Sequence, residues 1–188
     1  AIDYVSGKTR QQDKPWYLWL CYGAVHGPFT PAERHQQAYP TASVEEPADI
    51  YPDQLTRAGK PHYVRERNRW IRNETGNAEL ESGVKQRTVK NAPIHGNTLQ
   101  DWVRQYDQGV LAIDDAVGQL RKALKASGQL ENTLIVFAGD KGIAWGLHGL
   151  QQKVAPYDAN IRSPLIMSFP GHIPKGKVCP TPVGGTDM

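Results

Sequence analysis

Cysteine is scarce. Only Cys21 and Cys179 occur in 188 residues, and no CxxC spacing arises. A disulfide miniprotein and a thiolate zinc ribbon are therefore excluded. The pair can form one long-range disulfide in an oxidising compartment or stay as two buried thiols, and the sequence leaves both open. Long apolar runs are missing as well: no stretch reaches the roughly 18 residues that a membrane-spanning helix needs. Nor is there a dominant charge, since 22 Lys and Arg against 19 Asp and Glu leave a net +3. Nucleic-acid-binding domains carry a clustered basic face, and this balance points to none. The opening Ala1-Ile2-Asp3-Tyr4 lacks an initiator Met and the charged-then-apolar order of a signal peptide, so the chain reads as part of something longer. What is present is ordinary for a globular domain: 39% hydrophobic and 22% charged residues. A domain of this size buries roughly 70% of the surface its unfolded chain exposes.

Hydrophobic patterning divides the chain. Residues 16–22, Trp-Tyr-Leu-Trp-Leu-Cys-Tyr, sit between Asp13-Lys14-Pro15 and Gly23 and predict a buried strand. Gly27-Pro28-Phe29-Thr30-Pro31 continues neither strand nor helix and reads as a loop. Residues 32–98 are polar and interrupted by Pro40, Pro47, Pro52, Pro61 and Pro93, which suggests a functional segment or an insertion. Within it the basic run 65–72 reads as a solvated helix face, with anion binding as the alternative. From about residue 99 to 125, Trp102, Tyr106, Val110, Ile113, Val117, Leu120 and Leu124 recur at helical spacing, and Gly128 suits the C-terminal cap. Residues 133–138 and 164–168 are two further strands, the former apolar enough to be buried on both faces as in a parallel sheet. Strand, helix, strand, connector, strand is an α/β order. All three strands are expected as neighbours in one sheet, covered by the Val110, Ile113, Val117 and Leu120 face of the helix.

In such sheets, ligands gather beyond the carboxyl ends of the strands. His26 follows the first predicted strand and Asp140 the second. Lys153 lies 13 positions after Asp140, across the glycine-rich stretch 139–149. Taken singly, a hydrogen-bonding loop His, a turn or cap Asp and a solvated Lys are the commoner explanations of these residues.

Their order and surroundings say more. Ala24-Val25-His26-Gly27-Pro28-Phe29 resembles the His-Gly-Pro-Phe-like loop of type I sulfatases, of the alkaline-phosphatase-like superfamily. Tyr106-Asp107 through Asp114-Asp115-Ala116-Val117-Gly118 resembles their Tyr…Asp-x-x-Val-Gly helix. Asn132-Thr133-Leu134-Ile135-Val136-Phe137-Ala138-Gly139-Asp140-Lys141-Gly142 resembles their Asn-Thr-Leu-Val-Ile-Phe-Thr-Ser-Asp-Asn-Gly. His148-Gly149-Leu150, Lys153, Pro156-Tyr157 and Arg162-Ser163-Pro164-Leu165-Ile166 continue the match in order and spacing. The blocks cover about residues 1–35 and 99–188; approximately 36–98 is expected to be a variable insertion in a partial catalytic domain.

That resemblance implies an α/β, alkaline-phosphatase-like fold, a mostly parallel sheet flanked by helices, here incomplete. It implies a sulfuric ester hydrolase acting on aryl or carbohydrate sulfates, in a periplasmic, secreted or lysosomal setting. In the family a Cys or Ser becomes formylglycine, whose hydrate attacks sulfur, and a divalent cation, usually Ca²⁺, holds nucleophile and sulfate. By the same resemblance Asp140 is a metal ligand, His26 and Lys153 are catalytic and contact the sulfate, and His148 joins them in binding substrate. Lys141 stands at the family's Asn position next to the metal Asp.

Two departures follow. Neither Cys21-Tyr22-Gly23 nor Cys179-Pro180-Thr181-Pro182 matches the formylglycine motif, and the family's N-terminal Asp pair has no counterpart. The nucleophile-bearing N-terminal part is therefore expected to lie outside this chain and to be its partner in an active domain, leaving the chain alone inactive. Lys141, moreover, offers a cation no lone pair when protonated. Three readings remain: part of an active sulfatase, a degenerate relative that binds sulfated ligands without turnover, or a related phosphodiesterase or phosphonate hydrolase.

Overall fold

The structure, a computed structural model, describes residues 1–27, 29–40, 44–51, 53, 59–66, 70–81, 96–151, 153 and 155–187. Pro28, Pro52, Pro93 and residues 67–69 of the basic run lie outside the described residues. The backbone runs through α1 (Ile2–Val5), α2 (His62–Glu66), β1 (Trp70–Arg72), β2 (Ala78–Leu80), α3 (Leu99–Ala126), β3 (Ile135–Ala138), α4 (Asp158–Ile161) and β4 (Leu165–Ser168), with short 3₁₀ turns between them.

Helix α3 organises the chain. A capping box starts it: the Thr98 hydroxyl accepts from the Asp101 N–H at 3.1 Å, and Asp101 Oδ2 accepts from the Thr98 N–H at 3.2 Å. It stops in a Schellman arrangement, with Gly128 N–H bonded to Lys125 O and Gln129 N–H to Leu124 O. Gly128 takes φ +69°, the left-handed conformation that this closure requires. The expected helix and its glycine cap are both present.

Its buried face is only in part the expected one: Ile113 is buried, and Val117 and Leu120 are half-buried. Leu99, Trp102, Gln105, Gln108, Gly109, Ile113 and Leu124 are buried, whereas Val110 is exposed. The helix packs chiefly on α1, β2 and the turns at Glu33–His35 and Leu130–Asn132. Polar packing explains the rotation. The Gln108 amide donates to Gln36 O at 3.0 Å and Ala38 O at 2.7 Å, so a wholly buried glutamine is satisfied.

The main core joins Phe29, Ile50, Trp70, Ala78, Leu80, Leu99 and Trp102. Four of these come from the polar middle segment, which thus supplies core as well as surface. β1 and β2 form an antiparallel hairpin with Trp70 opposite Leu80, and only Trp70 of β1 is buried, so the basic run is not one solvated helix face. Glu46 ties the hairpin to the preceding loop, accepting from Ala78 N at 2.5 Å and from the Tyr51 hydroxyl at 2.8 Å.

Two of the three expected core strands pair. β3 and β4 run antiparallel, Ile135 opposite Ser168 and Ala138 opposite Leu165, so this ladder is not the parallel one that the apolar run suggested. β3 is also not buried on both faces, because Val136 and Leu134 are exposed. Residues 16–22 form neither strand nor helix among the described residues. Tyr17 and Trp19 are 74% and 77% exposed. Aromatic β-propensity is realised only where another backbone offers a ladder, and none does here. Cys21 and Cys179 are separate, exposed thiols, neither buried nor bridged.

Candidate functional site

Two loops carry the candidate residues, and both lie on the middle of α3. The first is a tight turn in which His26 N–H bonds Gly23 O at 3.1 Å and Phe29 N–H bonds His26 O at 3.2 Å. Phe29 is buried beneath it, with its ring 5.7 Å from Trp102, 5.8 Å from Tyr106 and 5.8 Å from Trp145. Val25 presses on Gly109, which leaves the helix surface bare enough for the turn to approach. His26 itself projects into solvent, with Nδ1 3.0 Å from Gly27 O.

The second loop begins where β3 ends. Gly139 N–H bonds Pro164 O, and Gly142 N–H bonds Asn160 O, both at 3.0 Å, pinning the stretch against α4 and β4. From there Trp145 reaches back to stack edgewise on Tyr106, ring centroids 5.0 Å apart. Tyr106 therefore touches both loops. Burial raises the pKa of its hydroxyl, and the carboxylates of Asp107 and Asp140 raise it further, so Asp140 lies within electrostatic range of that ring. Burial also raises the Asp107 carboxyl pKa.

Asp140 and Lys141 are exposed, and Lys153 is half-buried. No hydrogen bond or ion pair directly joins His26, Asp140, Lys141 and Lys153 among the described residues; what converges is their loops. Backbone strain marks the same place. Phe29, Trp145 and His148 take left-handed φ values of +59°, +44° and +56°, and of the non-glycine residues described only Tyr39 joins them. Such conformations cost about 1–3 kcal/mol each and collect at functional sites.

His148 is the most tightly held of the candidates. Its N–H donates to Asp49 Oδ1 at 2.9 Å, and its Nδ1 lies 2.6 Å from Asp49 Oδ2. Lys60 Nζ stands 3.2 Å from that same oxygen and 3.1 Å from His148 Nδ1. The Tyr157 ring lies against the imidazole, centroids 4.2 Å apart. Burial opposes ionisation of Asp49, but the bonds from His148 and Lys60 outweigh it and hold the carboxyl below its ordinary pKa. Asp49 and Lys60 were invisible to sequence reading: they sit in the unassigned middle segment, 99 and 88 positions from His148.

A calcium ion takes six to eight oxygen ligands. Among the described residues no group of three or more His, Cys, Asp and Glu gathers to hold a metal. At the expected place there is one carboxylate, Asp140, beside the ammonium-bearing Lys141. That donor set does not fit a hard cation by itself.

A model of the Sulfatase family matches residues 1–187. The N-acetylglucosamine-6-O-sulfatase of Bacteroides thetaiotaomicron is 26% identical over 94% of the chain and 38% of its own length. The arylsulfatase of Clostridium perfringens is 26% identical over 94% of the chain and 32% of its own length. Among solved structures, BT4656 in complex with its substrate D-glucosamine-2-N,6-O-disulfate superposes with a TM-score of 0.64 at 24% identity, covering 90% of this chain and 43% of the other. The chain spans about a third of the length of the curated relatives it matches.

Proposed function

The chain belongs to the sulfatase family, and from that premise we propose that it forms the central-to-C-terminal part of an alkaline-phosphatase-like catalytic domain hydrolysing sulfate esters of carbohydrates. The observation that carries the proposal is the meeting of the His26 loop and the Asp140 loop on Tyr106. Relatives named N-acetylglucosamine-6-O-sulfatase and iduronate 2-sulfatase outnumber the arylsulfatase among them and favour a carbohydrate ester.

Hydrolysis breaks an S–O bond, and negative charge builds on the leaving oxygen and on the sulfate oxygens. Fixed cationic donors lower that barrier most when they are aimed where charge develops. Lys153 supplies an ammonium for the sulfate oxygens, and His26, free on its turn, supplies a proton to the departing sugar oxygen. His148, on the same loop as Asp140, is the further residue assigned to substrate binding by the family resemblance. By the family resemblance Asp140 is the residue we assign to a metal, with calcium the ion expected of a complete site; further ligands and a formylglycine nucleophile have no counterpart in these 188 residues. We take an N-terminal part of the domain, packed on this chain as its partner, to supply them.

Titration of the 188-residue chain with inorganic sulfate and with glucosamine 6-sulfate, followed by NMR, tests this reading. Shifts centred on His26 and Lys153, weakened together by Lys153→Ala, are expected. Turnover of an aryl sulfate is expected to be absent. Sulfate shifts that ignore both residues would overturn the assignment.

A further inference from the structure

Asp49 and Lys60 compete for one nitrogen. Asp49 Oδ2 and Lys60 Nζ lie 2.6 Å and 3.1 Å from His148 Nδ1. A carboxylate can only accept there, so it requires a proton on Nδ1; an ammonium can only donate, so it requires a lone pair. Both conditions cannot hold at once. The shorter contact belongs to the carboxylate, which also receives the Lys60 ammonium at 3.2 Å. The charge-assisted bond therefore sets the tautomer, Nδ1 protonated, and leaves Nε2 as the nitrogen available to a ligand.

The same carboxylate holds the backbone. Its other oxygen accepts the His148 N–H at 2.9 Å, so one side chain grips both ring and main chain of a residue at φ +56°. A left-handed histidine persists only where its surroundings overdetermine it. The side chains of Asp49, Lys60 and His148 are 22%, 22% and 28% exposed, shielded enough for the contacts to be strong. Tyr157 against the ring removes the remaining freedom. Five residues later the chain reaches Lys153.

We propose that Asp49 is a positioning residue that acts through His148: it selects the Nδ1–H tautomer and fixes the turn from which the Lys153 segment departs. Its importance for catalysis rests on the sulfatase reading above, whereas the clasp itself does not. The middle segment thus contributes a working part of the site rather than a neutral insertion.

Long-range proton–nitrogen NMR on the 188-residue chain reads the tautomer directly. In the wild type His148 is expected as Nδ1–H, with its amide protected from exchange. In Asp49→Asn one acceptor oxygen remains for the His148 N–H, but an NH2 donor replaces the carboxylate oxygen at Nδ1 beside Lys60, and the ring is expected to invert to Nε2–H. Lys60→Met keeps Asp49 and is expected to leave the Nδ1–H form intact, which guards against reading mere unfolding as inversion. A wild-type ring in the Nε2–H form, or a tautomer unchanged by Asp49→Asn, overturns the proposal. Inorganic sulfate added to the same samples separates the two readings. A wild-type tautomer as expected with no sulfate response at Lys153 sinks the sulfate site and upholds the clasp. Weaker sulfate binding in Asp49→Asn, with Lys60→Met unaffected in tautomer, supports both.

Discussion

A β-carbon added at Gly109 would lie 2.9 Å from Val25 Cγ1, closer than carbon atoms normally approach. The helix and the His26 turn therefore touch through a missing side chain. Gly109→Ala should gain helix propensity, about 1 kcal/mol, yet push the turn outward at an overpacking cost of about 1–3 kcal/mol. The expected result is a small net change in melting temperature with displaced NMR signals from residues 24–29. Unchanged signals there would show that Val25 yields instead.

Gly142 is held harder. A β-carbon there would run into the backbone carbonyls of Ala159 and Arg162, which flexible side chains cannot relieve. Gly142→Ala is expected to cost about 2–3 kcal/mol and to detach the Asp140 loop from α4. Denaturant unfolding measures the loss, and a stability within a few tenths of wild type refutes it.

The acid limb of stability should report Asp49. Its folded pKa is depressed, so its contribution is present above the unfolded carboxyl pKa of 3.8 and disappears as pH falls through the lower folded value. Asp49→Asn is accordingly expected to lower stability at pH 7 and to flatten its fall below about pH 4. Thermal melts from pH 2 to 7 check both features.

Asp107 should behave in the opposite sense. Burial raises its folded pKa, so ionisation costs stability once pH rises above the unfolded value. Asp107→Asn keeps the shape and removes that charge. A higher melting temperature at pH 7, with the gain shrinking at pH 3, is expected from parallel melts.

The α3 cap supplies a simpler case. Thr98→Ala removes the hydroxyl that accepts the Asp101 N–H, and about 1 kcal/mol should be lost. Thr98→Ser keeps the acceptor and should recover most of it, as chemical denaturation of both variants can show.

Much of the fold was legible because it depends on neighbours in sequence. The 3.6-residue spacing from Trp102 to Leu124, the Thr98 cap and Gly128 specify α3 from local interactions. The apolar runs at 135–138 and 165–168 are strands in the structure. Ordered motifs around His26, Asp140 and Lys153 were enough to indicate the family, because such chemistry demands particular residue types at particular spacings.

Tertiary structure decided the rest, wherever the determinant lies far away in the chain. Residues 16–22 have every strand propensity and no ladder, since a strand is a relation between two backbones and not a property of one. The β3–β4 direction depends on how the connection returns, which hydrophobicity does not encode. Gln108 outranks Val110 for burial because two carbonyls from residues 36 and 38 await its amide. Most of all, Asp49 and His148 meet across 99 residues. Their types were plain in the sequence; that one carboxylate would grip a histidine's ring and backbone together came only from folding, which brings distant donors and acceptors within hydrogen-bond range.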